Sequence, residues 1–110
     1  MGLTWSTYPV RDSEVLSLVG QLTSHTVLQL EAQLARLLTR TGSVLVIDLA
    51  QLRDCDSAGV AILEGCRRAG LVAGVEVRLA APSPAADRAL RASGAMDDLA
   101  VFGSVDAAAD

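Results

Sequence analysis

The chain has 110 residues, of which 51% are apolar, and this predicts one domain with a buried core. Thirteen acidic residues outnumber nine basic ones, the net charge is −4, and no segment concentrates the basic residues, so direct nucleic-acid binding is not expected. Two cysteines and one histidine are too few for a zinc framework or a disulfide scaffold. No apolar run approaches the roughly 20 residues of a membrane-spanning helix, so we expect a cytoplasmic protein without membrane insertion.

The first half of the chain predicts a hairpin, a helix and a buried strand. Either Thr23 or Ser24 can cap the helix, because each precedes the first apolar residue of its inward face. The aliphatic run that ends at Asp48 has no polar interruption, which is typical of a strand covered on both faces. In chain order, the predicted elements are strands over 3–10 and 15–19, a helix from 27 to 40 that ends at 41–43, and a strand over 44–47.

The second half continues the alternation of helices and strands. Proline and glycine residues separate the predicted elements. These elements are a helix over 58–73, a strand over 75–79, a helix over 85–92, a short strand over 99–102 and a tail, 105–110, that forms one helical turn or frays. An initial hairpin followed by alternating helices and strands predicts an α/β fold, in which residues 1–110 form a mixed β-sheet with packed helices.

The segment 54–59 reads Asp-Cys-Asp-Ser-Ala-Gly and connects a strand to a helix through a short polar link. Either Asp56 or Ser57 is the predicted N-cap. A serine at this position is ordinarily only a cap, and acidic residues before a helix ordinarily interact with its dipole. The free N–H groups and partial positive charge of a first helical turn also favour a phosphate there, so a phosphate on Ser57 could be received by the backbone.

This arrangement of a strand, a short link, Asp-Ser-x-Gly and a helix resembles the STAS domain of bacterial anti-sigma factor antagonists. An upstream segment strengthens the resemblance, because Gly20 and Leu22 match the family's Gly-x-Leu turn from its second strand into its first helix. The strand ending at 48–49 and the motif residues 56–59 match as well. The resemblance covers nearly the whole chain.

The resemblance implies a phosphorylation switch. In such antagonists the anti-sigma factor is a kinase that phosphorylates the serine after the motif aspartate, and by position that residue is Ser57. The unphosphorylated antagonist binds the kinase and releases a sigma factor, and a phosphoserine phosphatase resets the cycle. Two positions depart from the family pattern: Thr23 replaces a frequent acidic residue after the Gly-x-Leu turn, and Ala58 replaces a frequent second hydroxyl residue.

The predicted partner surface surrounds the serine and follows the motif helix. Offsets of four, three and four residues place Val60, Glu64, Arg67 and Leu71 on one stripe of the helix, which we assign to its outer face; alternatively, other elements cover these side chains. The predicted partner-binding residues are Thr23, Asp54, Asp56, Ser57, Ala58, Gly59, Val60, Glu64 and Arg67.

Two other functions are compatible with this sequence. The chain could be a non-catalytic STAS subunit or regulator of a membrane transporter for lipids or anions, in which case Ser57 would be structural. It could also bind a small ligand or nucleotide at the motif loop. Partner binding that responds to charge at Ser57 separates the switch from the transporter role.

Catalysis is not expected, and neither is a metal or cofactor. A receiver-type phosphoacceptor at Asp48 would resemble a site that needs a lysine, and the chain has none. The pair Asp54 and Asp56 comes several residues after the aliphatic run, whereas a haloacid-type phosphatase places its Asp-x-Asp directly at the strand end. Glycine-rich nucleotide fingerprints are absent. Cys66 is predicted to be a small core residue. Cys55 lies in the link, and nothing in the sequence shows it to be reactive.

Overall fold

In the computed structural model, which describes residues 2–110, five strands form one mixed sheet flanked by four helices. The strands are β1 (Leu3–Val10), β2 (Ser13–Leu22), β3 (Val44–Cys55), β4 (Glu76–Ala80) and β5 (Ala100–Phe102). The helices are α1 (Val27–Arg40), α2 (Ser57–Ala73), α3 (Pro84–Ala92) and α4 (Val105–Ala109). The predicted α/β fold, with its N-terminal hairpin, mixed sheet and packed helices, is therefore confirmed.

The strands lie in the sheet in the order in which they occur in the sequence. β1 pairs antiparallel with β2, whereas β2, β3, β4 and β5 are parallel to one another. Parallel neighbours need a crossover connection, and α1 and α2 provide the first two. The carboxyl ends of β2 and β3 consequently lie side by side at one end of the sheet, next to the start of α2.

The core lies on both faces of the sheet. Leucines of α1 at helical spacing, from Leu30 to Leu38, pack with strand residues such as Leu45 and Ile47 in the larger apolar cluster. On the opposite face, Val46 packs with Ala108 and Ala109 of α4. The strand over 44–47 is thus covered on both faces as predicted, and the tail forms a helix that closes this second cluster.

β2 extends further than the predicted strand over 15–19. Its first residue, Ser13, pairs with Val10, so the hairpin turn contains two residues rather than four. Gly20 lies within the strand and has a φ of 114°, and a side chain there would collide with the backbone carbonyl of Gly2. Glycine is therefore required at this position by both backbone conformation and space.

β3 does not end at Asp48 but continues to Cys55, so the predicted polar link is part of the strand. It stays paired with β2 as far as Leu22 opposite Cys55, because register shifts in the β2–β3 pairing accommodate the irregular sequence of this segment. Only Asp56 separates the last residue of β3 from the first residue of α2. The motif is thus held at both ends by regular structure.

Candidate functional site

Asp56 fastens the start of α2 to the segment that precedes α1. One of its carboxylate oxygens, Oδ1, accepts a hydrogen bond from the backbone N–H of Gly59 at 2.9 Å, which makes Asp56 the N-cap of α2. The other, Oδ2, accepts from the backbone N–H of Ser24 at 3.0 Å. Of the two predicted cap residues, the structure therefore selects Asp56, and its carboxylate connects two elements that are distant in the sequence.

Ser57 is the first residue of α2 and is exposed to solvent. Since Asp56 satisfies the free N–H of Gly59, the hydroxyl of Ser57 is not needed as a cap. Within residues 2–110, no hydrogen bond to the Ser57 side chain is formed, whereas the cap serines Ser83 and Ser104 each accept one from a backbone N–H. Ser57 thus presents a free hydroxyl at the positive end of a helix.

Gly59 lets α2 approach the end of β2. A Cβ atom at this position would overlap the backbone carbonyl oxygen of Leu22 and lie 3.0 Å from the Cγ atom of the Leu22 side chain. The Asp56 backbone N–H also donates to the Leu22 carbonyl, at 3.2 Å. The glycine of the motif therefore has a packing role, because it lets the first turn of α2 lie directly against the end of β2.

The segment 23–26 forms a turn stabilised by its threonine side chains. Thr26 Oγ1 accepts from the Thr23 backbone N–H at 3.0 Å and donates to the Gln21 carbonyl at 2.8 Å. The Thr23 side chain accepts from the backbone N–H of His25 and is largely buried. Neither predicted cap of α1 is correct: the helix begins at Val27, and Thr26 is its N-cap residue, although without a side-chain capping bond.

The predicted contact residues separate into an exposed and a buried set. Asp54 and Ser57 are exposed, Asp56 and Ala58 are partly exposed, and Gly59 is buried. The structure brings all five together at the junction of β3 and α2. Thr23 lies beside them through the bond between Asp56 and the neighbouring Ser24, and its buried side chain supports the turn.

The stripe along α2 is not a continuous outer face. Val60 has only 1% of its surface exposed and belongs to the core, so its assignment to the outer face is wrong. Glu64 and Arg67 are partly exposed, and Leu71 is exposed. Other elements cover the beginning of the stripe because α2 packs against the sheet, α1 and α3. Val60 can support the surface from beneath but cannot present its side chain to a partner.

One exposed apolar residue near this site was not predicted. Leu28, in the first turn of α1, is 79% exposed and lies two residues after the turn that is hydrogen-bonded to Asp56. The sequence contained a signal for it, because Leu28 falls outside the helical stripe formed by Leu30, Leu34 and Leu37. The sequence also contained a signal for Thr26 as the N-cap residue, because it directly precedes the first apolar residue of α1.

The carboxyl group of Asp56 is stabilised in its charged form. Partial burial pushes its pKa up, but hydrogen bonds from the backbone N–H groups of Ser24, Gly59 and Ala58 outweigh this effect, and its pKa lies below the ordinary value of 3.8. Asp56 is therefore a carboxylate at neutral pH. Together with the exposed Asp54, it gives the surroundings of Ser57 a negative charge.

We expect the Asp56→Asn variant to lose part of the pH dependence of stability in acid. Because the pKa of Asp56 is lower in the folded chain, its carboxylate contributes stability above pH 3.8 that is lost as the pH falls through the folded-state pKa. Asparagine can still cap a helix but does not titrate. Urea unfolding at about pH 7 and about pH 3 should therefore show a smaller stability difference for the variant. An equal difference in both proteins would contradict this assignment.

Neither cysteine has the properties of a reactive thiol. Burial raises the pKa of Cys55 to about 11, with further increases from the charges of Asp56 and Asp54. Burial alone raises the pKa of Cys66 to about 11. Cys66 lies in the core as predicted, and Cys55 is partly buried against the same core.

We expect slow alkylation of both cysteines in the native protein. A pKa near 11 instead of 9.0 leaves about a hundredfold less thiolate at neutral pH, and the thiolate is the nucleophile. Iodoacetamide labelling followed by mass spectrometry should show this, with the urea-unfolded chain as the control in which both thiols react at ordinary rates. Labelling of native Cys55 as fast as in the unfolded chain would contradict the prediction.

Within residues 2–110, no group of three or more histidine, cysteine or acidic side chains lies close enough together to hold a metal ion. None of the helices in this range is long and apolar enough to cross a membrane.

The family model of the STAS domain matches residues 7–108. The chain belongs to the STAS domain family. This confirms the resemblance seen in the motif residues and in Gly20 and Leu22, which the structure places at the junction of β2, β3 and α2. No curated protein sequence matches this STAS domain.

Solved structures with the same fold include anti-sigma factor antagonists and a sulfate transporter family protein. An anti-sigma factor antagonist from Mycobacterium paratuberculosis is 23% identical, with a TM-score of 0.85 over 96% of this chain and 90% of that one. The antagonist SpoIIAA in its unphosphorylated form is 21% identical, with a TM-score of 0.76 over 96% and 92%. A sulfate transporter family protein from Wolinella succinogenes is 19% identical, with a TM-score of 0.72 over 92% and 84%. At these identities the likeness shows the fold.

Proposed function

We propose that this STAS domain is an anti-sigma factor antagonist whose binding to an anti-sigma factor is switched by phosphorylation of Ser57. In the unphosphorylated state it binds the anti-sigma factor, which is also a serine kinase, and thereby releases a sigma factor in the cytoplasm. Phosphorylation ends this binding, and a phosphoserine phosphatase restores it. The protein acts by binding and does not itself catalyse a reaction.

The observation that carries this proposal is the free hydroxyl of Ser57. A kinase needs a serine hydroxyl that can reach its active site. Ser57 is exposed, and its hydroxyl is not used as a cap because Asp56 caps the helix. A purely structural role of Ser57 as the helix cap does not fit this hydrogen-bonding pattern. The resemblance to antagonists in which the equivalent serine is the phosphorylation site supports the same role.

The charge around Ser57 explains how the modification would weaken binding. Phosphorylation adds about −1.5 to −2 charges to the hydroxyl. Asp56 is the adjacent residue and a carboxylate, and Asp54 is exposed nearby. A contact surface that must exclude water would have to desolvate this concentrated negative charge, which opposes association.

The partner surface we propose combines this switch with an apolar contact. Leu28 is 79% exposed and lies four residues after Ser24, whose backbone N–H donates to Asp56. An exposed leucine next to a polar site is suited to fill a pocket of a binding partner. Glu64 and Arg67, which are partly exposed, extend the surface along α2.

A second candidate function is that of a STAS subunit or regulator of a membrane transporter. The likeness to the sulfate transporter family protein supports it. In this role binding would not depend on the charge of Ser57, because the Asp56 cap holds the start of α2 in place without the serine hydroxyl.

Affinity capture from the native host tests the two functions against each other. The baits are the wild type, Ser57→Ala, Ser57→Asp and, as a control, Ser43→Asp, which adds the same charge at an exposed serine directly before β3, at its opposite end from the site. Recovery of an anti-sigma kinase by all baits except Ser57→Asp would support the switch. Recovery of transporter subunits by all four would overturn it and support the second function.

A further inference from the structure

The outer edge of β1 is a long, uncharged and unpaired strand edge. β1 is the outermost strand of the sheet and contains eight residues, compared with three in β5 at the opposite edge. None of the residues of β1 is charged, and its pairing with β2 contains no bulge. Within residues 2–110 no other strand pairs with this edge. Proteins usually protect such edges with charged side chains, proline, bulges or covering elements, and of these devices β1 itself has only Pro9 near its end.

The hairpin geometry determines which backbone groups of β1 face outward. Val10 pairs with Ser13 across a two-residue turn, and this pair must be of the hydrogen-bonded type, because the other type would need a bond between the two adjacent turn residues. Bonded pairs alternate along the strand, so the even-numbered residues of β1 bond to β2. The Gly2 carbonyl, which accepts from the Gln21 N–H at 3.1 Å, continues this alternation. The odd-numbered residues therefore direct their N–H and C=O groups away from the sheet.

Pro9 limits the set of free donors at this edge. It occupies an odd-numbered position, where its missing N–H interrupts no bond to β2, as is usual for proline in an edge strand. The outward N–H groups of β1 are then those of Leu3, Trp5 and Thr7. These three donors are spaced evenly, and Trp5 is at their centre.

We propose that this edge binds a second copy of the same chain, with the two β1 strands antiparallel about a two-fold axis at Trp5. Trp5 then pairs with Trp5 of the second copy, and Leu3 pairs with Thr7 in both directions. Each of these pairs exchanges two backbone hydrogen bonds, so every outward donor is used. The pairing joins the two sheets into one continuous sheet.

The symmetry of the edge favours a second copy over an unrelated strand. A two-fold interface requires a surface that is complementary to itself, and three evenly spaced donors centred on one residue meet this requirement. The absence of charge in β1 means that two identical strands do not repel each other. Trp5 is partly buried against the core, and its approach to the second Trp5 would cover more of its apolar surface. On the face of the sheet opposite to Trp5, Thr4 of one copy would lie across from Ser6 of the other, and both side chains are uncharged.

Sedimentation equilibrium tests the dimer, with Thr7→Pro and Thr7→Ser as a matched pair. By symmetry, Thr7→Pro removes two hydrogen bonds from the interface and none from the bonds between β1 and β2, so we expect the dissociation constant to rise about tenfold or more. Thr7→Ser retains the donor and should dimerise like the wild type. A wild type that stays monomeric at about 1 mM, or a folded Thr7→Pro protein that dimerises equally well, would overturn the proposal.

Disulfide trapping tests the register of the proposed pairing and needs no proline substitution. In the proposed pairing Thr4 faces Ser6 of the second copy, a non-hydrogen-bonded pair whose Cα atoms lie about 4.5 Å apart, whereas either residue is about 8 Å from its own counterpart. A mixture of Thr4→Cys and Ser6→Cys proteins should therefore form cross-linked dimers much faster than either protein alone, with the wild type as the background for Cys55 and Cys66. A mixture that cross-links no faster than the single proteins would overturn this register.

Discussion

The Ser57→Asp variant is expected to bind the anti-sigma factor about 10- to 100-fold more weakly than the wild type while remaining as stable. The added charge lies beside Asp54 and Asp56, and desolvating it in an interface opposes binding, where each 1.4 kcal/mol corresponds to about a tenfold change. In the free protein, an acidic residue in the first turn of α2 interacts favourably with the helix dipole. The free energy of unfolding should therefore change by less than about 1 kcal/mol.

Isothermal titration calorimetry with the purified anti-sigma factor measures the affinity, and urea unfolding measures the free energy of unfolding. Ser57→Ala removes the hydroxyl without adding charge, and because the Asp56 cap is independent of it, this variant should match the wild type in both. Ser43→Asp controls for net charge. Equal affinity of wild type and Ser57→Asp, with both folded, would refute the switch. Loss of binding together with loss of stability would mean that the substitution acts through folding.

Gly59→Ala is expected to destabilise the protein by about 3 kcal/mol, whereas the same substitution at Gly65 is expected to stabilise it by up to about 1 kcal/mol. Both glycines lie in α2, where alanine is the better helix former. At Gly59 the new methyl group would overlap the Leu22 carbonyl, which belongs to the backbone of β2 and cannot rotate away. At Gly65 the nearest atom outside the local helix backbone is Nη2 of Arg68, at 3.9 Å. The sign of the stability change thus depends on which atoms lie next to each glycine.

Urea unfolding of the two variants beside the wild type measures the difference. The slope of the free energy against urea concentration should stay the same, because neither substitution changes the surface exposed on unfolding by much. Gly59→Ala should also weaken anti-sigma factor binding, since it moves the start of α2 away from β2, and Gly65→Ala should not. Equal stabilities for the two variants would contradict the proposed packing of α2 against the end of β2.

The elements that the sequence predicts best are those whose signals are local. The strand over 3–10 was predicted with the bounds of β1, because aromatic and β-branched residues and the following polar turn all lie within a few positions of one another. The start of α2 lies one residue before the predicted start at 58, because cap residues, glycine and helical spacing coincide there. Local chemistry could not decide between Asp56 and Ser57, because both residue types cap helices equally well. The decision required the backbone conformation and the position of Ser24.

The sequence by itself determined the family, the alternation of strands and helices and the serine of the motif, since each depends on residue types close together in the chain. Only the tertiary structure decided that β3 continues to Cys55, because its last residues are held by pairing with β2 rather than by their own alternation. It also decided that Val60 is buried while Leu28 and Leu71 are exposed. Which face of a helix is covered depends on neighbours that arrive from distant parts of the chain, and α2 is covered from several sides.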